Sequence, residues 1–342
     1  MSESKFYHFT STGLFYGVNS VEEALKARQE GGFIWMNYIN PEKNVLAPLT
    51  DSIGIHPLSV EDCFDTSQVP KIEHFPGNTF IIFNSFCYRE KTLFIDEVDL
   101  FIGKNFLITV SGVNSDDRKA LNNIESFLSK DPGQARSGPA FLMHIILDQI
   151  VDEKFKAFES LEDELEEAED LVVEDTATFR PAELIRLRKA LVVLRKSLFH
   201  EREILVKINR MDCPYVPEKA IFLYRDVYDH LSKFFELTET YREIVTSLME
   251  LYTSLLNNYM TKMSNETNAS VRRLTLIATI FMPLTLIAGI GGMSEWTMMT
   301  QKLSWKLSYP LFIAGLIVIA AINYILIKRI EAGGRKKNED RE

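Results

Sequence analysis

Two stretches of 21 residues without a charged side chain, 274–294 and 307–327, stand near the end of this 342-residue chain, separated by a short polar segment. Wound as helices rising about 1.5 Å per residue, each would cover about 30 Å, the thickness of a bilayer's hydrocarbon core. Such a pair predicts a helical hairpin in a membrane and leaves the preceding residues to form a large aqueous part. The overall composition, 46% hydrophobic and 25% charged, conceals the hairpin because the polar-rich remainder dilutes it.

The opening residues MSESKFYHFT contain no basic region followed by an apolar core, so no secretory signal is expected and the aqueous part is placed in the cytosol. Two spans then return the C-terminus to the same side. Arg272 and Arg273 precede the first span and Lys328, Arg329, Arg335, Lys336 and Lys337 follow the second, whereas only Lys302 and Lys306 lie between them, which sets the loop outside. The expected location is the cell membrane, with both termini cytoplasmic. Cys63, Cys87 and Cys213 are too scattered for a disulfide framework or a CxxC metal site, and the six histidines show no HxxxH spacing. With no Walker loop, GxGxxG or nucleophile elbow, neither ATP-driven pumping nor an enzyme is expected.

Residues 1–135 read as a cytosolic α/β domain. Runs at 32–39, 79–86, 98–102 and 105–110 are rich in β-branched and aromatic residues and predict strands, while 20–30, with Ser20 as cap and Glu23 three residues on, and 57–64 predict helices. A small sheet covered by helices follows, an α+β fold. Residues 136–270 read as helical: an acidic helix over 140–173, a basic one over 181–208 carrying Arg186, Arg188, Lys189, Arg195 and Lys196, and a long stalk helix from about 219. The two charged helices are expected to lie antiparallel. The first transmembrane helix is set at 271–293, the external loop at 294–306, the second transmembrane helix at 307–328 and a basic cytosolic tail at 329–342. No Pro or Gly interrupts 219–282, so the stalk is expected to run unbroken into the first span.

Alternating steps of four and three along that helix pick out Asn257, Thr261, Ser264, Asn268, Val271, Thr275, Ala278, Met282, Thr285 and Gly289, an unbroken heptad seam. A dry coiled coil would carry Leu, Ile or Val there; this seam is mostly polar or small. Two readings stand. Several copies around an axis would enclose a channel lined by neutral oxygens and narrowed at Met282. Alternatively, the small residues let helices approach closely in a packed membrane interface. No ionisable residue lies on the spans, which argues against a proton relay. Neutral oxygens and amides suit a cation that keeps its water, magnesium above all.

The stretch LTLIATIFMPLTLIAGIGGMSEW, residues 274–296, closely resembles the first membrane helix and signature of the CorA family of divalent-cation transporters, a signature that normally ends in Tyr-Gly-Met-Asn. The resemblance extends in family order through HPLSVEDCFDTSQVPKIEHF (56–75), GKNFLITV (103–110), RKALVVLRKSLFHERE (188–203) and YRDVYDHL (224–231). It implies a CorA-like funnel-shaped homopentamer with one central pore made by the first span and an outer ring made by the second. It places the outer mouth at Gly292, Met293 and Ser294, with Gly291 where the family has Tyr and Ser294 where it has the Asn that contacts the hydrated ion. A Ser hydroxyl still bonds metal-bound water, but it is shorter than an amide and lacks its NH₂ donors. Asn268 matches the family's pore Asn, and Leu274 and Met282 match its hydrophobic constriction. Thr285 and Gly289 continue the line. Glu295, the only acid in the outer loop, would as a ring attract cations. In the family, acidic pairs between neighbouring cytosolic domains bind magnesium and hold the pore shut; Glu90, Asp226 and Asp229 are the candidates here, with Arg89 beside Glu90 a departure from the pattern.

The implied function is passage of hydrated divalent cations, most of all magnesium uptake, gated by intracellular metal and driven by the membrane potential. For a divalent ion that potential supplies about 4.6 kcal/mol per 100 mV. Mg²⁺ is the expected cargo and regulator, with Co²⁺, Ni²⁺ or Zn²⁺ as alternatives on the same architecture. A non-conducting membrane-anchored sensor is the reading in which the seam is packing alone. The expected partners are further copies of the chain, the lipid bilayer and divalent cations, with no nucleic acid.

Overall fold

The computed structural model describes residues 3–10, 15–65, 68–113, 135–176, 178–292 and 305–339, with single positions between 121 and 133. It divides into two compact units, residues 1–253 and 254–342.

In the first unit, strands β1 (Glu3–Phe9), β2 (Phe15–Val18), β3 (Phe33–Ile39), β4 (Ile72–Phe75), β5 (Asn78–Arg89), β6 (Thr92–Gly103) and β7 (Phe106–Ser111) form one seven-stranded sheet among the described residues, in the order β2-β1-β3-β7-β6-β5-β4. The β3–β7 pair at its centre is parallel, with Ile34 opposite Phe106 and Ile39 opposite Ser111; its other pairings are antiparallel. Every residue of β3 and β7 is buried, because helices cover both faces. That is why both read in the sequence as nearly continuous apolar runs, broken only at Asn37, Thr109 and Ser111, and not as alternating ones.

On one face, Ile34, Met36, Tyr38, Phe80, Ile82 and Phe101 share a core with helices α1 (Val21–Glu30), α2 (Lys43–Leu46), α3 (Leu49–Ser52) and α4 (Pro57–Asp62). The Ser20 hydroxyl accepts from the Glu23 amide at 3.1 Å, and Glu23 Oε2 accepts from the Asn19 amide at 3.1 Å, so the predicted cap of α1 forms with its carboxylate reaching one residue further back. On the other face, α5 (Pro139–Glu174) lies across β5, β6, β7 and β3.

The sheet is larger than its sequence signals. β1 and β2 add to the expected strands; β1 has three buried side chains out of seven and so carries a weak apolar pattern, and β2 is only four residues long. β5 and β6 run 12 residues each and meet in a two-residue turn at Glu90 and Lys91, both at positive φ (49° and 59°). The first half of β6 is partly exposed, and β5 ends on the half-buried Cys87 and the exposed Arg89, which hid how far the two strands run.

Helices α6 (Ala182–Asn209) and α7 (Ile221–Gly291) complete the helical layer. Within the first unit α7 buries Tyr224, Val227, Leu231, Phe234, Thr238, Tyr241, Val245 and Leu248, a stripe in steps of three and four. Phe234 stacks on Phe158 of α5 at 4.9 Å, and the Tyr224 hydroxyl donates to the Ala140 carbonyl at 2.6 Å. α5 and α6 do run antiparallel, as the pairs Glu164–Arg186 and Lys154–Glu201 show. The charges divide differently from the simple acid-against-base expectation. Arg195 turns to Glu239 of α7, while Arg202 donates to Ser232 at 3.1 Å and lies 4.8 Å from the Phe235 ring. The fully buried pair has reversed polarity, its cation on the acidic helix and its carboxylate on the basic one.

The second unit holds the rest of α7 and helix α8 (Trp305–Glu339). Among the described residues two helical segments, one in α7 and one over Lys306–Arg329, are long and apolar enough to cross a membrane. α7 continues through Pro283 to Gly291, although proline there leaves the Thr279 carbonyl without its helical N–H donor.

Candidate functional site

The seam lies on the side of α7 turned away from α8. Ile280, Leu284, Ile287 and Gly291 are half-buried, and on α8 so are Phe312, Leu316, Ile319, Ala320 and Asn323, each set falling on one helical stripe. Ala278, Met282, Thr285 and Gly289 stand two positions before or after members of the first stripe. Two residues turn a helix by about 200°, so α8 does not reach them. In the single chain every seam residue from Asn257 to Gly289 is exposed, Val271 at 55% and Met282 at 75%; Leu274, one place off the count, is 68% exposed. A shallow groove runs along Ala278, Met282, Thr285 and Gly289. A Cβ added to Gly289 would meet open space, so nothing in the one chain requires glycine there.

The hydroxyls on this face are oriented by their own helix. Thr261, Thr275 and Thr285 donate to the carbonyls of Asn257, Val271 and Phe281, each at 2.8 Å. Threonine in a helix commonly bonds back to the carbonyl four residues earlier. With the proton held there, the oxygen's remaining lone pairs face outward and the hydroxyl acts as an acceptor. Water bound to a divalent cation is a strong donor, so a face of such acceptors, together with the exposed Asn257 and Asn268, is matched to an ion that arrives with its shell.

At the far end, Gly291 is half-buried, and a Cβ there would stand 2.6 Å from Cζ of Phe312. The ring from α8 therefore occupies the space released where the family resemblance expects Tyr. Phe312 carried no mark in the sequence; the exchange of a large residue for glycine at 291 was the signal that a side chain from elsewhere fills in. The Gly292 amide still donates to the Ala288 carbonyl at 3.0 Å, which continues the helical ladder to the last described residue before the loop. Met293, Ser294 and Glu295 lie outside the described residues.

The acids singled out for regulation are apart within one chain. Glu90 occupies the β5–β6 turn, whose Lys91 pairs with Glu167 of α5 at 2.8 Å. Asp226 is exposed on α7, 3.7 Å from Nε2 of His230, and its field reaches His144 and Asp148 of α5. Burial lowers the pKa of His144 and raises that of Asp148. Glu167 and Asp148 are separated by about 28 Å of helix, so Glu90 and Asp226 can share an ion only if different copies supply them. Asp229 is exposed on α7, three residues after Asp226. Among the described residues no three His, Cys, Asp or Glu side chains form a cage for a metal ion.

Several proteins similar to this chain are named as metal ion transporters. A family profile described as "CorA-like Mg2+ transporter protein" matches residues 30–329. The chain is 32% identical over 292 residues to a protein named "Putative metal ion transporter YfjQ" from Bacillus subtilis, covering 85% of this chain and 87% of that one. It is 32% identical over 318 residues to "Cobalt/magnesium transport protein CorA" from Thermotoga maritima, covering 92% and 87%. Among solved structures, the complete CorA magnesium transporter from Methanocaldococcus jannaschii superposes with a TM-score of 0.68 at 25% identity, over 95% of this chain and 97% of that one.

Proposed function

Because this chain belongs to the CorA family of divalent metal ion transporters, we propose that it assembles as a homopentamer about the seam of α7 and admits hydrated divalent cations, magnesium first, into the cytosol. The observation that carries this reading is the outward row of back-bonded threonines and small residues, a face that α8 leaves open and that presents acceptors and no ionised group from Leu274 to Gly289. In this reading Met282 and Leu274 form the narrow hydrophobic part, and Ser294 with Gly292, Met293 and Glu295 forms the outer mouth in the cell membrane. Both termini are cytoplasmic. The inside-negative potential drives entry, and cytosolic metal held between copies by Glu90 with Asp226 or Asp229 favours the closed form over the open one. Ser294 in place of the family's Asn keeps cobalt, nickel and zinc as competing cargoes on the same architecture.

Uptake into liposomes containing the purified protein, under an inside-negative potential, tests this directly. Magnesium flux that cobalt hexammine blocks is expected, since that complex copies the size and octahedral shape of a hydrated ion. Flux of zinc or nickel alone would reassign the cargo. Uptake no greater than that of empty liposomes for every ion would turn the assignment to a sensor whose seam only packs.

A further inference from the structure

A second acidic feature lies far from the seam, inside the first unit. A cavity of about 290 Å³ opens between β5, β6, the segment after α4 and α6. Three carboxylates line it, Asp96, Glu97 and Asp99, opposed by the single ammonium of Lys196. Asp99 is 1% exposed and its side chain meets Cys63 and Glu97, while its Oδ1 has no hydrogen-bond partner. An unpaired carboxylate oxygen in the interior costs free energy and is rare unless a water or an ion completes it.

The other wall groups narrow the choice of ligand. Cys63 lies against the cavity, but its thiol donates to the Ser59 carbonyl at 3.1 Å, which argues against a soft metal drawn in by a free thiolate. No three ligating side chains of the described residues converge into a cage for a bare ion. Magnesium is the cation that fits both facts: it dehydrates reluctantly and is held through one or two carboxylates with several waters kept. Six waters at about 30 Å³ each take up about 180 Å³, which the cavity accommodates.

We propose that this cavity is a binding site, internal to one chain, for a hydrated divalent cation, held through its water by Asp99 and Glu97. The opposite wall gives the site a consequence. Asn84 donates to Ser197 at 2.7 Å, and its amide donates to Glu201 at 3.1 Å, so the cavity abuts the network that fixes α6 to the sheet. An ion there ties β6 to the helical layer. The inference stands apart from conduction, since binding is read without any flux.

The test is hydrogen–deuterium exchange on the full-length protein in detergent, stripped of metal and then given Mg²⁺ or K⁺ at equal ionic strength. Peptides covering α4 and the first half of β6 are expected to exchange about tenfold more slowly when Mg²⁺ is at about ten times its dissociation constant. Cobalt hexammine should reproduce the effect, and Asp99→Asn should remove it while Mg²⁺ effects elsewhere persist. If that variant does not fold, Glu97→Gln serves for the same comparison. Equal protection by K⁺, no protection by Mg²⁺ in the wild type, or protection that survives the substitution would each overturn the site. Protection by Mg²⁺ that cobalt hexammine fails to reproduce would overturn the hydrated form of the ligand.

Discussion

Lys154→Met is expected to destabilise the first unit by about 3–5 kcal/mol, the usual cost of removing one partner from a buried ion pair. Lys154 and Glu201 are both fully buried and paired. The ammonium also lies 4.4 Å from the ring centre of Phe83 and 4.6 Å from that of Phe86, so aromatic faces replace part of its lost water. Glu201 accepts in addition from the Asn84 amide at 3.1 Å and the Ser197 hydroxyl at 3.3 Å. Burial lowers the pKa of Lys154 and raises that of Glu201; each opposes the other's shift, so the pair stays charged only while both are present. Met matches the lysine stem in length but leaves a carboxylate in the core without its cation. Denaturant unfolding of the full-length protein would measure the loss. Lys154→Met with Glu201→Leu should recover most of it, because removing both charges is often close to neutral. A double variant as unstable as the single one would show that shape, and not charge, is what the site requires.

Thr285→Lys is expected to reduce divalent uptake by at least about a thousandfold without disturbing the first unit. In water an ammonium about 5 Å from a divalent cation repels it by about 1.7 kcal/mol, and three or more around one axis exceed the roughly 4 kcal/mol that a thousandfold change requires. The residue is exposed, and its hydroxyl bonds only to the Phe281 carbonyl of its own helix, so the change removes no contact inside the chain. Thr285→Val, which keeps the shape and loses the acceptor, should lower uptake far less. Flux assays beside a melting curve of each variant separate transport from folding. Wild-type uptake through the Lys variant would place the ion path elsewhere than on this face.

Much of the architecture was legible because it is written in local patterns. The two spans announce themselves by length, α1 by Ser20 and Glu23, and the central strands β3 and β7 by runs that only a doubly covered strand carries. The seam was legible as a period, and the structure adds which way it faces. What stayed hidden depends on partners distant in the chain. Nothing in the sequence around Lys154 points to Glu201, 47 residues away, which the fold brings against it. Phe312 meets Gly291 only once the hairpin closes, and Asp99 reads as an ordinary polar residue of a strand until both faces of that strand are covered. Periodicity reports which side of an element is apolar; it does not report which atom on another element answers it.

The back-bonded threonines have a consequence for protons. A chain of waters passes a proton along only where each neighbouring group can accept one hydrogen bond and release another in turn. Thr275 and Thr285 hold their hydrogens on the helix at 2.8 Å, so neither is free to hand one on. Along an ion path lined by them these hydroxyls would accept from water without relaying its protons, so a proton could travel only from water to water and would gain no side-chain relay from this face.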